Sequence, residues 1–313
     1  MEPNKATSTI RRVAVFGASG NFGTPITAAL SQDGCFDVTI ITRVKSRSTF
    51  LPGLAVIRTA YTVEDLTKAL EGQDAVVCAV APSGVEHQVA MVDAAEAAGV
   101  KRFIVNDFGW GLRTQTHGLP EFRETIKRCN VGWDYAAKRA EANPSFTWTG
   151  ITTGKPIDWA LRKFPAMGFD VVKGTATIYD AGDEVFTGTM LEGIGQSVVG
   201  VLRHPDETAN RFVKARSINT CQNELLQAFQ KVTGRQWPVT HSTTEVMKME
   251  GGARYKAGAG GWTLYIAVAQ LLDPGKARNV VAPSREESDA DLLGIVEETP
   301  ESIAERVLKM RLN

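Results

Sequence analysis

Short apolar runs alternate with helical patterns through the first half of this chain. The strand-like runs are RRVAVF, FDVTIIT, AVVCAV, RFIV and FTWTGI, and the segments between them have the apolar spacing of helices, from FGTPITAALSQ to a long helix before FTWTGI. Strands that read as continuous apolar runs are buried on both faces, and helices between them cover a parallel sheet through right-handed crossovers. The pattern therefore predicts an α/β fold with a doubly wound parallel sheet over residues 1–157.

The second half has a looser pattern. Shorter strands (FDVVKG, TATIYD) precede two helical segments, GIGQSVVGVLRHP and QNELLQAFQKVTG. We expect residues 158–313 to form mainly a second, smaller substrate domain, with some segments returning to the first sheet. The glycine-rich interval EGGARYKAGAGGW is open to two interpretations, an ordered lid over a pocket or a mobile surface loop, and loop statistics favour the surface loop.

The composition narrows the possible functions. With 35 basic and 35 acidic side chains and no basic block, the chain carries no electrostatic footprint for nucleic acid or anionic lipid. Its four cysteines form no CxxC pair, and neither they nor the four histidines have the spacing of a metal site or a catalytic triad. No apolar signal region or membrane-spanning run is encoded. We expect a cytoplasmic protein, monomer or homodimer, that acts on a small molecule.

The stretch VAVFGASGNFG places glycines at positions 17, 20 and 23 between the first predicted strand and the first helix. Gly17 lets the chain turn sharply, Gly20 lets backbone amides approach a pyrophosphate, and Gly23 lets the helix pack closely on the sheet. The helix N-terminus then faces the phosphates with unpaired N–H groups and its positive dipole end. The sequence therefore predicts a dinucleotide site.

The second predicted strand is followed by Arg43, where an NAD site usually carries an acidic residue for the ribose 2′-hydroxyl. A guanidinium there suits a 2′-phosphate instead, and Lys45, Arg47 and Ser48 add further donors. We therefore expect NADP(H) to be preferred over NAD(H). The alternative is that Arg43 is a solvated cation at the end of a strand.

Further cofactor contacts are expected from the loops that follow the first, fourth and fifth strands. The predicted residues are Ser19, Asn21, Phe22, Ala81, Pro82, Asn106 and Phe108. His87, Trp110 and Trp159 are assigned to substrate binding, although a lone histidine near a helix start is more often structural. The aromatic rings of Phe108 and Trp110 suit either stacking on a planar ligand or packing of the cleft.

These motifs resemble the NmrA-like and isoflavone reductase-like family of atypical short-chain dehydrogenases, particularly its fungal members. The segments that carry the resemblance are GASGNFG, ITR, LEGQDAVVCAVAPSGVEHQVAMVDAAEAAGVKRFIVNDFG, FTWTGITTG, DWAL, TATIYDAGD, VLRHPDET and NRFV. The resemblance implies an N-terminal NADP(H) domain, a smaller C-terminal substrate domain and a cleft between them. It also implies reduction of an aromatic or unsaturated small molecule, often in secondary metabolism.

The catalytic lysine of that family has no clear counterpart here. The family's Ser-Glu-Phe-Gly after the fifth strand is replaced by Asn-Asp-Phe-Gly at 106–109, and no register puts a lysine on the family position in the long helix. Lys127, in FRETIKRCNVGWDYAAK, is the nearest candidate if an inserted bulge swings it inwards, whereas Lys138 lies about three turns further on. Lys155, in TTGKPIDW, follows a strand whose end faces the cofactor in doubly wound folds. A third possibility is that no lysine acts as the acid.

Three functional hypotheses follow. The leading one is an NADPH-dependent reductase of a small, mostly apolar and aromatic or unsaturated metabolite. The resemblance also implies an alternative, because NmrA-type relatives bind the dinucleotide without turnover and act as redox-sensing regulators. A third hypothesis keeps the same pocket for a redox-neutral dehydration, isomerisation or cyclisation.

Overall fold

The computed structural model describes residues 10–109, 118–163 and 167–310. The strands of the first half are β1 (Arg12–Phe16), β2 (Asp37–Arg43), β3 (Ala55–Thr59), β4 (Ala75–Cys78), β5 (Arg102–Ile104) and β6 (Thr147–Thr152). The helices between them are α1 (Gly23–Asp33), α2 (Val63–Leu70), α3 (Gln88–Ala97) and α4 (Arg123–Ala142). Strand β3 is absent from the predicted pattern; it is a short edge strand, and four of its five residues are exposed.

The second half contributes shorter strands and six more helices within the described ranges. Its strands are β7 (Lys155–Pro156), β8 (Phe169–Asp170), β9 (Thr175–Tyr179), β10 (Phe186–Thr189), β11 (Arg211–Lys214), β12 (Ile218–Thr220) and β13 (Val239–Ser242). Its helices are α5 (Ile157–Lys163), α6 (Leu191–Arg203), α7 (Gln222–Thr233), α8 (Thr244–Lys256), α9 (Trp262–Leu271) and α10 (Pro300–Lys309). None of the helices in the described ranges is long and apolar enough to cross a lipid bilayer.

A seven-stranded sheet forms the main body, in the order β11-β6-β5-β4-β1-β2-β3, and every pair in it is parallel. Strand β1 is buried on both faces: Val13 and Val15 belong to the core on one side, and Ala14 and Phe16 to the core on the other. The predicted doubly wound parallel sheet is therefore confirmed. Its strand order reverses between β1 and β4, and ligands bind at the carboxyl ends of strands at such a switch point.

Two segments of the second half return to this sheet. Strand β11 pairs with β6 and forms one edge. Helix α6 packs on α1 so closely that a Cβ on Gly195 would lie 2.5 Å from the carbonyl oxygen of Pro25. The remaining strands form two three-stranded sheets, β12-β10-β7 and β13-β9-β8, around a separate apolar core. The domain boundary at residue 157 stays a prediction, because β11 and α6 come after it in the sequence and yet pack with the first half.

The glycine-rich interval at 250–262 is mostly helical. Helix α8 continues to Lys256 and α9 begins at Trp262, so the surface-loop interpretation is wrong for residues 250–256. Gly251 is buried against α9, and a Cβ on it would lie 2.7 Å from Cδ1 of Ile266. Tyr255 and Trp262 close the turn edge to face, with ring centroids 4.8 Å apart. The glycine here permits close helix packing rather than a flexible loop.

Asp74 joins the amino ends of β1, β4 and β5, on the side of the sheet opposite the carboxyl ends of the strands. Its carboxylate accepts hydrogen bonds from the backbone N–H groups of Arg11 (3.1 Å) and Arg12 (2.8 Å) and pairs with Lys101 at 3.5 Å. Burial opposes the charged form, but the two N–H donors and the neighbouring cations outweigh it and hold the Asp74 pKa below its usual range. We call this arrangement the Asp74 clasp.

A buried cation fastens β11 to the rest of the sheet. Arg102 is 2% exposed and donates to the hydroxyls of Thr147 (2.8 Å), Thr149 (2.9 Å) and Thr208 (2.9 Å) and to the Pro205 carbonyl oxygen. Burial lowers its pKa to about 10. Because Pro205 and Thr208 lie just before β11, this guanidinium links the two halves of the chain.

Candidate active site

The loop between β1 and α1 contains two positions where only glycine fits. Gly17 has a φ of +76°, and a Cβ on it would lie 2.2 Å from the carbonyl oxygen of Ala79. A Cβ on Gly23 would lie 2.0 Å from the carbonyl oxygen of Gly17. Gly20 is less constrained, since its nearest contact would be 3.2 Å, and its N–H donates to the Gly17 oxygen at 2.9 Å. The tight turn brings the start of α1 to the switch point.

The N-terminus of α1 is left open by its own sequence. Its N-cap residue, Phe22, makes no side-chain capping bond, and the first turn contains no acidic residue. The Thr24 and Ile26 N–H groups donate to the carbonyl oxygens of Gly20 (3.0 Å) and Phe22 (3.1 Å), but no side chain of α1 neutralises the positive end of the helix dipole. Such an end is a binding site for a phosphate group.

A groove of about 160 Å³ runs from this loop to the end of β2, and we call it the nucleotide groove. It is lined by Gly17, Ser19, Gly20, Thr42, Arg43, Ser46, Ser48, Tyr61, Ala79, Val80, Ala81, Gly84 and His87. The predicted contacts Gly17, Ser19, Gly20, Arg43 and Ala81 thus lie together. No acidic side chain lines the groove among the described residues, which suits a ligand that carries several phosphates.

The Arg43 end of the groove is built from a loop that a second arginine holds. Arg58 on β3 donates to the carbonyl oxygen of Ser46 at 2.7 Å, and Ser46 and Ser48 line the groove beside Arg43. Lys45 and Arg47 are exposed and do not line it. Of the four side chains predicted for this end, Arg43 and Ser48 line the groove, whereas the sequence analysis missed Ser46 and Arg58.

Tyr61 is a groove residue that the sequence analysis missed. It has a positive φ of +40°, and its ring meets those of Phe16 and His87 edge to face at 5.7 and 5.6 Å. Burial raises its pKa to about 12, so it offers a neutral hydroxyl at physiological pH. His87, which was assigned to substrate binding, lies beside Tyr61 in the nucleotide groove.

A second, more apolar cavity of about 220 Å³ adjoins the start of α1, and we call it the apolar cavity. It is lined by Phe22, Phe108, Gly109, Gly154, Lys155, Pro156, Trp159, Ala267, Gln270, Leu271 and Asn279. Phe22 and Phe108 are neighbours, with ring centroids 6.0 Å apart. Four predicted site residues meet here, but the contribution of α9 was missed because its sequence carries no recognisable motif.

Lys155 is the only lysine among the described residues that line this cavity. It lies on β7, pairs with Gly188 of β10, and follows a tight turn at Gly154 with φ of +63°. A Cβ on Gly154 would lie 2.5 Å from the carbonyl oxygen of Thr187, so β7 and β10 approach closely. Burial in this largely apolar setting lowers the Lys155 pKa from 10.5 to about 8.

Lys127 occupies a different environment. Helix α4 runs without interruption from Arg123 to Ala142, and no bulge turns the Lys127 side chain inwards. Lys127 is exposed and lines neither the groove nor the cavity. Lys138, further along the same helix, is exposed as well.

The remaining predicted contact residues do not line the groove or the cavity, or lie outside the described residues. The Asn106 backbone is fixed by the Gln88 side chain, which accepts from its N–H at 2.7 Å, and by Trp133, which donates to its carbonyl oxygen at 3.2 Å. Neither Asn21 nor Asn106 lines the groove or the cavity. Pro82 lies in the short 3₁₀ turn at 82–87. Trp110 lies outside the described residues.

The described part of the chain contains no group of three or more His, Cys, Asp or Glu side chains that could hold a metal ion. The features that are present match a dinucleotide instead. A glycine turn that admits no side chain, an uncapped helix end and a cationic pocket at the end of β2 correspond to pyrophosphate and ribose phosphate groups.

Comparison with known proteins agrees with this geometry. A family model described as NAD(P)H-binding matches residues 17–179. The oxidoreductase poxI of Penicillium oxalicum is 58% identical over 293 residues, which cover 94% of this chain and 92% of the relative.

Solved structures give the same fold at much lower identity. A crystal structure of isoflavone reductase is 17% identical with a TM-score of 0.73, covering 95% of this chain and 99% of the other. The complex of leucoanthocyanidin reductase with NADPH from Vitis vinifera is 18% identical with a TM-score of 0.73 and the same coverage. These matches confirm the fold that the resemblance implied.

Proposed function

The chain belongs to the NAD(P)H-binding family, and from this premise we propose that it is an NADPH-dependent reductase of a small, flat and mostly apolar metabolite. As an oxidoreductase, it shares its reaction class with its fungal relative poxI. What it reduces follows from the apolar cavity, since aromatic walls and few polar groups select a flat ligand with little charge.

The observation that carries the proposal is Lys155 inside the apolar cavity, beside Phe22 and Phe108. These two aromatic residues belong to the loops at the carboxyl ends of β1 and β5, where a nicotinamide ring is expected in this fold. An ammonium group with a pKa of about 8 is mostly charged at neutral pH, yet it gives up its proton more readily than an exposed lysine. It is therefore suited to protonate an oxygen that gains negative charge.

The residues of the chain divide the work as follows. The glycine turn and the start of α1 hold the pyrophosphate, while Arg43, Ser46 and Ser48 hold the 2′-phosphate and favour NADPH over NADH. When bound, the cofactor supplies the hydride. Phe108 and Trp159 hold the flat substrate and exclude water, and Lys155 Nζ donates a proton to the substrate oxygen.

The proposal is tested by following NADPH oxidation with a panel of aromatic ketones and conjugated enones. Exchanging Lys155 for Met keeps the bulk of the side chain and removes the proton, so the rate should fall by roughly 10²- to 10⁴-fold while NADPH affinity is unchanged. Lys127→Met is the matched control and should retain full activity, because Lys127 is exposed.

Two results would count against this assignment. If Lys155→Met keeps full activity, the proton comes from water or from another group. If the unmodified protein oxidises NADPH with no member of the panel, the redox-neutral and regulatory hypotheses gain over the reductase.

A further inference from the structure

Asn279 lines the apolar cavity and has an unsatisfied side chain. Its amide nitrogen is buried and has no hydrogen-bond partner among the described residues. A buried donor without a partner destabilises a fold, and native proteins keep few of them. A ligand that fills the cavity can supply the missing acceptor.

The position of Asn279 is fixed by the strand that also fixes Lys155. The Thr187 N–H donates to the Asn279 carbonyl oxygen at 3.0 Å, and the Thr187 hydroxyl accepts from the Val281 N–H at 2.9 Å. Thr187 precedes Gly188, which is the partner of Lys155 in the small sheet. Strand β10 therefore fixes the backbone of both residues, and both line the same cavity.

The loop that carries Asn279 is anchored on its other side. The Glu184 carboxylate accepts from the N–H groups of Gly275 (2.6 Å) and Ala277 (2.7 Å), and Arg278 pairs with Asp273 at 2.8 Å. Ala277 has a positive φ of +44°, a conformation that a non-glycine residue keeps only when its surroundings enforce it. The backbone beside Asn279 is thus held in a defined place.

The remaining polar side chains of the cavity are donors as well. Gln270 is 3% exposed, and its side-chain oxygen accepts from the Leu119 N–H at 2.7 Å, so its amide N–H groups are what it offers to a ligand. Lys155 is a donor by its nature, and no acidic side chain lines the cavity among the described residues. Such a site favours a ligand whose polar atoms only accept hydrogen bonds.

We propose that Asn279 determines substrate specificity by donating a hydrogen bond from its amide to an acceptor oxygen of the substrate. The substrate class that fits is a flat, mostly apolar ketone whose oxygens accept but do not donate. A turn about the terminal side-chain torsion, which is soft for asparagine, directs the donor to the ligand. This inference rests on the proposed function, since it takes the apolar cavity as the substrate site.

Equilibrium binding to the protein saturated with NADP⁺ tests the inference, measured by calorimetry. One probe is 4-chromanone, a bicyclic ketone with two acceptor oxygens and no donor, and the other is tetralin, a bicyclic hydrocarbon of similar size. We expect 4-chromanone to bind more tightly than tetralin. In Asn279→Leu, the affinity for 4-chromanone should fall roughly 5- to 30-fold, the range for a lost buried hydrogen bond, while tetralin binding is kept.

Two further variants keep the test decisive. Asn279→Asp preserves the shape of the side chain but removes the donor, so it should show the same loss even if Asn279→Leu folds poorly. Asn223→Leu is the matched control, because the Asn223 amide donates to the Ala181 carbonyl oxygen at 2.9 Å and does not line the cavity. It should keep the preference for 4-chromanone.

An unchanged preference in both Asn279 variants would overturn the inference, as would equal binding of the two probes to the unmodified protein. Because NADP⁺ carries no hydride to transfer, this binding measurement is separate from turnover. An unchanged preference in the Asn279 variants therefore counts only against the role of Asn279, whereas absent NADPH oxidation counts only against the reductase.

Discussion

At the scale of single residues, the chemistry of Lys155 depends on where β7 places it. The same side chain at Lys127 lies on an exposed helix face and is surrounded by water. Beside Phe108 and Trp159 its charged form is destabilised by burial. The pH dependence of kcat/KM should therefore report the pKa of Lys155.

The first prediction concerns that pH dependence. Because the acid must be protonated, kcat/KM should fall about tenfold per pH unit above pH about 8, and Lys155→Met should lack this decline at its lower rate. The lowered pKa of Lys155 also predicts how the stability of the fold changes with pH. Between about 8 and 10.5 unfolded Lys155 holds the proton that the folded group has released, so its contribution to the free energy of unfolding should rise with pH in this window. Buried Cys78 and Cys129, whose pKa burial raises, act in the opposite direction, so the measurement is the difference in denaturant stability between the unmodified protein and Lys155→Met. A difference that does not change with pH would contradict the lowered pKa.

A second residue-scale prediction concerns cofactor choice. Arg43→Asp should weaken NADPH binding by about 1.5 kcal/mol, the lower end for charged hydrogen bonds, because the Arg43 side chain is exposed. NADH binding should change little, since NADH lacks the 2′-phosphate. Lys45→Asp makes the same change in charge outside the nucleotide groove and should have a smaller effect. Calorimetry with both cofactors distinguishes these cases, and equal losses in the two variants would point to general attraction instead.

At the scale of elements, the packing of α8 against α9 shapes one wall of the apolar cavity. Gly251→Val should push the two helices apart at Ile266, with a cost of about 1–3 kcal/mol in stability. Because α9 carries Ala267 and Gln270, activity should fall by roughly ten- to a hundredfold while NADPH affinity is kept.

The neighbouring glycine provides the control for this prediction. A Cβ on Gly252 would meet nothing within 4 Å, so Gly252→Ala should stabilise the helix by about 0.5–1 kcal/mol and leave the activity unchanged. Thermal unfolding and kcat/KM of both variants are the measurements. Equal behaviour of the two variants would show that the contact with Ile266 does not position α9.

Some helices and strands could be predicted from the sequence and others could not. The strands β1, β2 and β4 and the glycine turn were predictable because their signals are local: continuous apolar runs and fixed glycine spacing. Strand β3 was not, since it is an exposed edge, and Gly251 was misleading because a glycine that allows close packing looks like a loop glycine. Asn279 has no local signal at all, as its role depends on contacts with β10, far away in sequence.

At the scale of the whole molecule, the two halves of the chain are not separable. A fragment of residues 1–157 would lack α6, which covers Ile26 and Leu30 of α1, and would lack Thr208 and Pro205, two partners of the buried Arg102 guanidinium. We expect this fragment to be unfolded or aggregated and unable to bind NADPH, although it contains the complete glycine turn. Circular dichroism and NADPH titration test this, and a folded, binding fragment would refute it.

The Asp74 clasp separates acid tolerance from catalysis. A carboxylate with a lowered pKa in the folded state contributes stability above its unfolded pKa, and this contribution is lost as pH falls through the folded value. Because Asp74 lies at the amino ends of β1 and β4, acid should loosen the sheet from the edge opposite the nucleotide groove. Asp74→Asn should then be less stable at neutral pH and lose less stability on acidification, with NADPH affinity intact at pH 7. The acid sensitivity of the sheet therefore depends on a residue that is remote from the chemistry of the protein.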